Sequence, residues 1–160
     1  MIKILFVCHG NICRSPMAEF VMKDLAAKAG AGEQFVIDSA ATSTEEIGNP
    51  VYPPARRELA AHSIPCTGHA ARQLTRADYD RYDLLIGMDS ANIRNMLRIC
   101  GGDPEGKIHR LLDYTARRAM WPTRGIPGIS RPPGGMCWRA APQYCTDTPP
   151  ANNADLSSAA

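Results

Sequence analysis

Val7-Cys8-His9-Gly10-Asn11-Ile12-Cys13-Arg14-Ser15-Pro16 is the stretch on which the reading of this chain turns. It follows the apolar run Ile4-Leu5-Phe6-Val7 and precedes a helical pattern that opens at Pro16. A loop of this length between a strand and a helix can turn its backbone N–H groups inward around one anion, at the positive end of the helix dipole. His9, Gly10, Asn11, Ile12 and Cys13 would form the wall of that phosphate cradle. Arg14, six residues after Cys8, closes the ring and offers two parallel donors to a phosphate, a geometry that lysine does not match. The same N–H groups and the Arg14 charge favour thiolate over thiol, which makes Cys8 nucleophilic at neutral pH. Ser15 is placed to donate a hydrogen bond to that sulfur.

A cysteine at a strand end is often just a small hydrophobe, and C-x5-R alone is a common spacing. Context decides here: a strand before, Gly10 and Asn11 inside, and Ser15-Pro16 at the start of a helix. Zinc is a weaker rival, because Cys8, His9 and Cys13 lack a second ligand pair at metal spacing. No metal and no cofactor are expected.

Moving outward, residues 2–7 read as a buried parallel strand and residues 16–27 as a helix with Met17, Val21 and Leu25 on one face. Phe35-Val36-Ile37 is a second strand, whose end carries Asp38 and Ser39 toward the carboxyl edge of the sheet, where ligands bind in such folds. Helices follow over residues 55–62, from an N-cap at Thr75, and over residues 90–99. Strands are expected over residues 84–88 and 107–112. Strands alternating with helices imply right-handed crossovers and an α/β fold with a four-stranded parallel sheet covered on both faces.

The run from Val7 through Pro16-Met17-Ala18-Glu19 resembles the signature of the low-molecular-weight protein tyrosine phosphatases. The resemblance continues through Asp38-Ser39-Ala40-Ala41-Thr42-Ser43, Ile47-Gly48-Asn49-Pro50, Ser63-Ile64-Pro65, His69-Ala70-Ala71-Arg72-Gln73-Leu74 and Met88-Asp89, and covers residue 1 to about Arg117. It implies a flavodoxin-like fold, with Cys8 as nucleophile, Arg14 as phosphate ligand and Ser15 as the hydroxyl that tunes the thiolate. Asn11, Ser39 and His69 would hold the loop in its strained shape. Cys13 would be able to trap an oxidised Cys8 as a reversible disulfide. Ile12 resembles the tyrosine-phosphatase branch rather than the phosphoarginine branch, so a phosphotyrosine-containing protein is the expected partner. Glu45 departs from the aromatic pocket wall that many members place there. Two rivals stay open: a phosphate- or phosphotyrosine-binding pseudophosphatase, and an arsenate reductase, which needs further cysteines at a set spacing.

Length and charge narrow the field. The chain has 160 residues and a net charge of +2, enough for one domain with a real core and too little charge to imply a polyanion. Basic residues before Arg117 are dispersed, so nucleic acid is not an expected partner. No apolar run reaches membrane-spanning length and the start is too short for a signal peptide, which points to a cytoplasmic protein without a membrane partner. The six cysteines are irregularly spaced and do not read as a disulfide framework.

The chain changes character at Arg117. Residues 117–160 hold five arginines, no lysine, two aspartates and seven of the thirteen prolines, with no helical or alternating period. The division expected is a phosphatase-like domain over residues 1–116 and an irregular or disordered tail over 117–160. The resemblance calls for an Asp-Pro pair after the fourth strand to supply a general acid. No Asp-Pro follows Arg117, and Asp103-Pro104 reads as a turn, so no general acid is found. The genetic code suggests why. A one-base shift near Arg117 restores valine at Met120-Trp121 and permits Asp-Pro-Trp-Tyr across residues 122–126, so the tail from about Arg118 reads as out of frame.

Overall fold

In the computed structural model, which describes residues 1–116, β1 (Ile2–Cys8) is buried from Ile4 through Cys8. A strand with neighbours on both edges and helices on both faces must be apolar at consecutive positions, and β1 is that strand. β2 (Phe35–Ala41) pairs parallel to it, Ile2 with Phe35 through Cys8 with Ala41. β3 (Leu84–Gly87) runs parallel along its other edge, and β4 (Ile108–Arg110) completes the order β2-β1-β3-β4. This is the four-stranded parallel α/β sheet that the alternation of elements implied.

The period of two along β1 sorts its side chains between two cores. Ile4 and Phe6 face α1 (Arg14–Lys28) through Ala18, Met22 and Ala26, with Leu111 and Tyr114 of α5 (Leu111–Ala116) on the same side. Leu5 and Val7 face Tyr79 of α3 (Arg76–Arg81) and Met96 and Cys100 of α4 (Ser90–Cys100). A smaller cluster joins Met17 to Val51 and to Ala55 and Leu59 of α2 (Pro53–Ala61).

Several boundaries differ from expectation for identifiable reasons. The sheet-facing stripe of α1 is Ala18-Met22-Ala26 rather than Met17-Val21-Leu25, because small side chains let the helix approach the sheet while Met17 and Val21 turn toward α2. α2 begins two residues early, since Pro53 and Pro54 occupy its first positions, where a missing N–H costs nothing. The fourth strand ends at Arg110 instead of residue 112. Leu111 opens α5 with Asp113 in its first turn, and Leu111 and Tyr114, three apart, both turn to the sheet. Thr75 caps α3 as expected, its N–H donating to the Asp78 carboxylate at 2.8 Å. The irregular tail expected over residues 117–160 lies outside the described residues. No helix among those described is long and apolar enough to cross a membrane.

Candidate active site

Cys8 is the last residue of the central strand, and the chain must cross from the carboxyl edge of the sheet to the start of α1 in the five residues His9 to Cys13. That span is too short for a relaxed path. Asn11 takes up the turn at φ +57°, the left-handed region that asparagine tolerates better than most side chains. Asn11 is fully buried, and besides the bond from its N–H four hydrogen bonds hold it. Its Nδ2 donates to Ser15 Oγ at 2.9 Å and to Ser39 Oγ at 2.8 Å. Its Oδ1 accepts from the Arg72 N–H at 3.1 Å, and its carbonyl accepts from His69 Nε2 at 2.7 Å, which places the imidazole proton on Nε2. Ser39 and His69 are thus brought together around Asn11.

The sulfur of Cys8 lies 3.0 Å from Ser15 Oγ and receives the Asn11 N–H at 3.3 Å. Because Asn11 Nδ2 already occupies a lone pair of Ser15 Oγ, the hydroxyl proton is left to point at the sulfur, with the Ala40 carbonyl at 3.4 Å as a more distant alternative. Gly10 and Ile12 N–H groups have no acceptor among the described residues, whereas the Ile12 carbonyl is taken by the Tyr52 N–H at 2.7 Å. The loop is therefore braced from outside through its carbonyls.

Arg14 opens α1 and donates from Nη1 to Asp89 Oδ2 at 2.7 Å. Asp89 is the N-cap of α4, its other oxygen accepting the Asn92 N–H at 2.7 Å. Burial works to raise the pKa of Asp89, but the Asn92 N–H and the Arg14 guanidinium together hold it below the usual aspartate value. A carboxylate fixed on one nitrogen of the guanidinium leaves its other donors oriented for a second oxyanion.

His9 and Cys13 turn away from the sulfur's partners. His9 Nε2 meets the exposed Glu45 carboxylate at 3.1 Å, and Cys13 packs beside the cluster of Met17, Val51 and Leu59. Asp103 lies before β4, at the amino edge of the sheet and so opposite Cys8. It accepts from Tyr79 Oη and from the Lys107 and Ile108 N–H groups, which confirms it as a turn anchor.

Three residues here carried no sequence expectation. Glu19, 6% exposed, accepts from Ser39 Oγ at 2.5 Å and from Lys23 Nζ at 2.5 Å. Arg72 contributes its backbone N–H to Asn11, and Asp89 aims Arg14. The spacing of Glu19 one turn after Ser15, and Asp89 at the carboxyl end of β3, were the available signals.

A strand–loop–helix bearing a cysteine and an arginine at the carboxyl edge of a parallel sheet defines a class, the α/β proteins with a thiol in an anion cradle. Within that class the chain belongs to a particular family: residues 3–122 match the family described as low molecular weight phosphotyrosine protein phosphatase. The low molecular weight protein-tyrosine-phosphatase YfkJ of Bacillus subtilis is 44% identical over 114 residues, 71% of this chain and 73% of that one. Its crystal structure matches with a TM-score of 0.71 at 42% identity, covering 75% of this chain and 76% of YfkJ. SP-PTP, the family member from Streptococcus pyogenes, matches with a TM-score of 0.63 at 39% identity over 69% of this chain and 71% of its own. The human low molecular weight phosphotyrosine protein phosphatase is 44% identical over 95 residues, 59% of this chain and 60% of the human one. The chain thus spans about three fifths of its human relative.

Proposed function

We propose that this chain is a phosphotyrosine phosphatase acting through Cys8, with turnover limited by the lack of a general acid. The observation that carries the proposal is the sulfur of Cys8 set between Ser15 Oγ and the Asn11 N–H, in the loop that Arg14 closes. The thiolate attacks phosphorus, the bond from phosphorus to the tyrosyl oxygen breaks, and a cysteinyl phosphate forms. Arg14 and the loop N–H groups offset the charge on the equatorial oxygens. Water then attacks phosphorus, the sulfur–phosphorus bond breaks, and Ser15 donates to the departing thiolate. Inorganic phosphate leaves.

The tyrosyl oxygen must gain a proton as it departs, and the water must lose one. No Asp-Pro follows Arg117 to do either, and Asp103 is committed to its turn at the opposite edge. Loss of such an acid removes about 10²–10⁴ in rate, most for a poor leaving group such as tyrosyl. The expected result is a phosphorylated Cys8 detectable by acid quench, with p-nitrophenyl phosphate turned over faster than a phosphotyrosine peptide. Absence of any phosphocysteine, or equal turnover by Cys8→Ser, overturns the proposal. The missing acid also favours a second reading, a phosphotyrosine-binding pseudophosphatase, which predicts saturable peptide binding with no released phosphate. The out-of-frame reading of residues 118–160 is tested by rereading the coding DNA.

A further inference from the structure

A cavity of about 290 Å³ opens against Ser39 and His69, two of the groups that hold Asn11, and it is separate from the residues that touch the Cys8 sulfur. Its wall also includes Glu19, Lys23, Thr67 and Arg72. Its volume lies at the low end for small-molecule sites, and its lining is far more polar than most such sites, so the occupant is small and polar.

The hydrogen bonds already made around it decide which polar group fits. Both oxygens of Glu19 are taken, one by Ser39 and one by Lys23, and one oxygen of Asp38 on the same wall accepts from Tyr82 Oη at 2.6 Å. The donors are in surplus. Among the described residues Lys23 Nζ has a single hydrogen-bond partner and otherwise lies over the Phe20 ring, and the Arg72 guanidinium donates from Nη1 to Asp78 and the Gln73 carbonyl with the Tyr82 phenol as a further neighbour. His69 uses Nε2 on Asn11, which leaves Nδ1 without a partner among the described residues. An ammonium and a guanidinium with donors to spare suit an oxyanion, while the two carboxylates on the same wall admit only one that is compact and of low charge.

We propose that this cavity is a second anion site, taking a small carboxylate- or phosphate-bearing molecule, and that its occupancy reaches the loop through Asn11. Three of the four groups that hold Asn11 belong to cavity residues: Ser39, His69 and Arg72. An anion that recruits Lys23 competes with Glu19, and Glu19 is the acceptor that orients the Ser39 hydroxyl beneath Asn11. The proposal does not depend on turnover.

The test is an amide NMR titration of the full chain with acetate and, separately, with inorganic phosphate, each of which also samples the loop. The expected result is two saturation curves: one at Ile12, and another shared by Lys23, Gly68, His69 and Asn11. Lys23→Met, at a half-exposed position, raises the dissociation constant of the second curve about tenfold and leaves the first in place, and Lys23→Arg restores it. The probe with the lower dissociation constant on the second curve identifies the head group. Absence of saturable shifts at Lys23, Gly68 and His69 with either probe overturns the site, as does a second curve indifferent to Lys23→Met. Asn11 shifts that follow only the Ile12 curve overturn the link to the loop.

Discussion

Replacing Asn11 by alanine removes three side-chain hydrogen bonds at once: two donated by Nδ2, to Ser15 and Ser39, and one accepted from the Arg72 N–H. At a net of about 1 kcal/mol each, these account for about 3 kcal/mol. The backbone at φ +57° adds about 1 kcal/mol, because alanine lacks the local hydrogen bonding that lets asparagine sit there. The sum of about 4 kcal/mol is a large part of the 5–15 kcal/mol typical of a domain. With a urea slope of about 2 kcal/mol per molar, the unfolding midpoint should fall by about 2 M. Asn11→Gly loses the same bonds without the backbone cost and should recover about 1 kcal/mol relative to Asn11→Ala. Iodoacetamide should alkylate Cys8 more slowly in both variants, since the N–H that faces the sulfur is no longer held in place. An Asn11→Ala midpoint within about 0.5 M of the parent refutes the idea that this side chain carries the loop. A glycine variant less stable than the alanine variant refutes the backbone argument.

Ser15→Ala removes the hydrogen bond to the Cys8 sulfur; if the proposed mechanism holds and that bond serves the reacting sulfur, it is worth about 1.5–3 kcal/mol and its loss should slow Cys8 alkylation by about 10–100-fold while circular dichroism stays native. Asp89 titrates below its usual 3.8 in the folded chain, so the stability it contributes is complete above that value and is lost as pH falls through the lower folded value. The stability gap between parent and Asp89→Asn, measured by urea unfolding, should therefore be constant near neutrality and close only in strong acid. For Tyr82, burial and the hydrogen bond to Asp38 push the phenol up to about 12 from 10.0, so its contribution is complete below pH 10 and disappears between pH 10 and about 12. Thermal melts of Tyr82→Phe should accordingly lose less stability than the parent over that interval.

The cradle was legible because it is contiguous: Cys8 to Ser15 carries thiol, turn residue, guanidinium and hydroxyl in one reading. Ser39 followed from topology, since the end of a strand adjacent to β1 must lie near Cys8. The residues that escaped notice did so for physical reasons. Glu19 looks like a solvent-facing helical acid paired with Lys23 four residues on, yet it lies on the buried side of α1 beneath Ser39. Arg72 serves the loop through its backbone N–H, a group that side-chain identity does not report. Asp89 reads as an ordinary N-cap, and only the fold brings it to Arg14. The face of Met17 and Val21 stands out in the sequence of α1 because its residues are large, but it packs on α2, and the small residues Ala18 and Ala26 are the ones that allow close helix–sheet contact.

The Asp89 carboxylate ties two crossovers together, since it starts α4 and grips an arginine 75 residues earlier. During synthesis from the amino terminus, the thiol and guanidinium leave the ribosome long before their brace does. A nascent chain that has not yet laid β3 beside β1 therefore has every loop residue and no means to aim Arg14. On the proposed function, anion capture would thus be a late event in assembly, and phosphate protection of the thiol would serve as a clock for when the third strand docks.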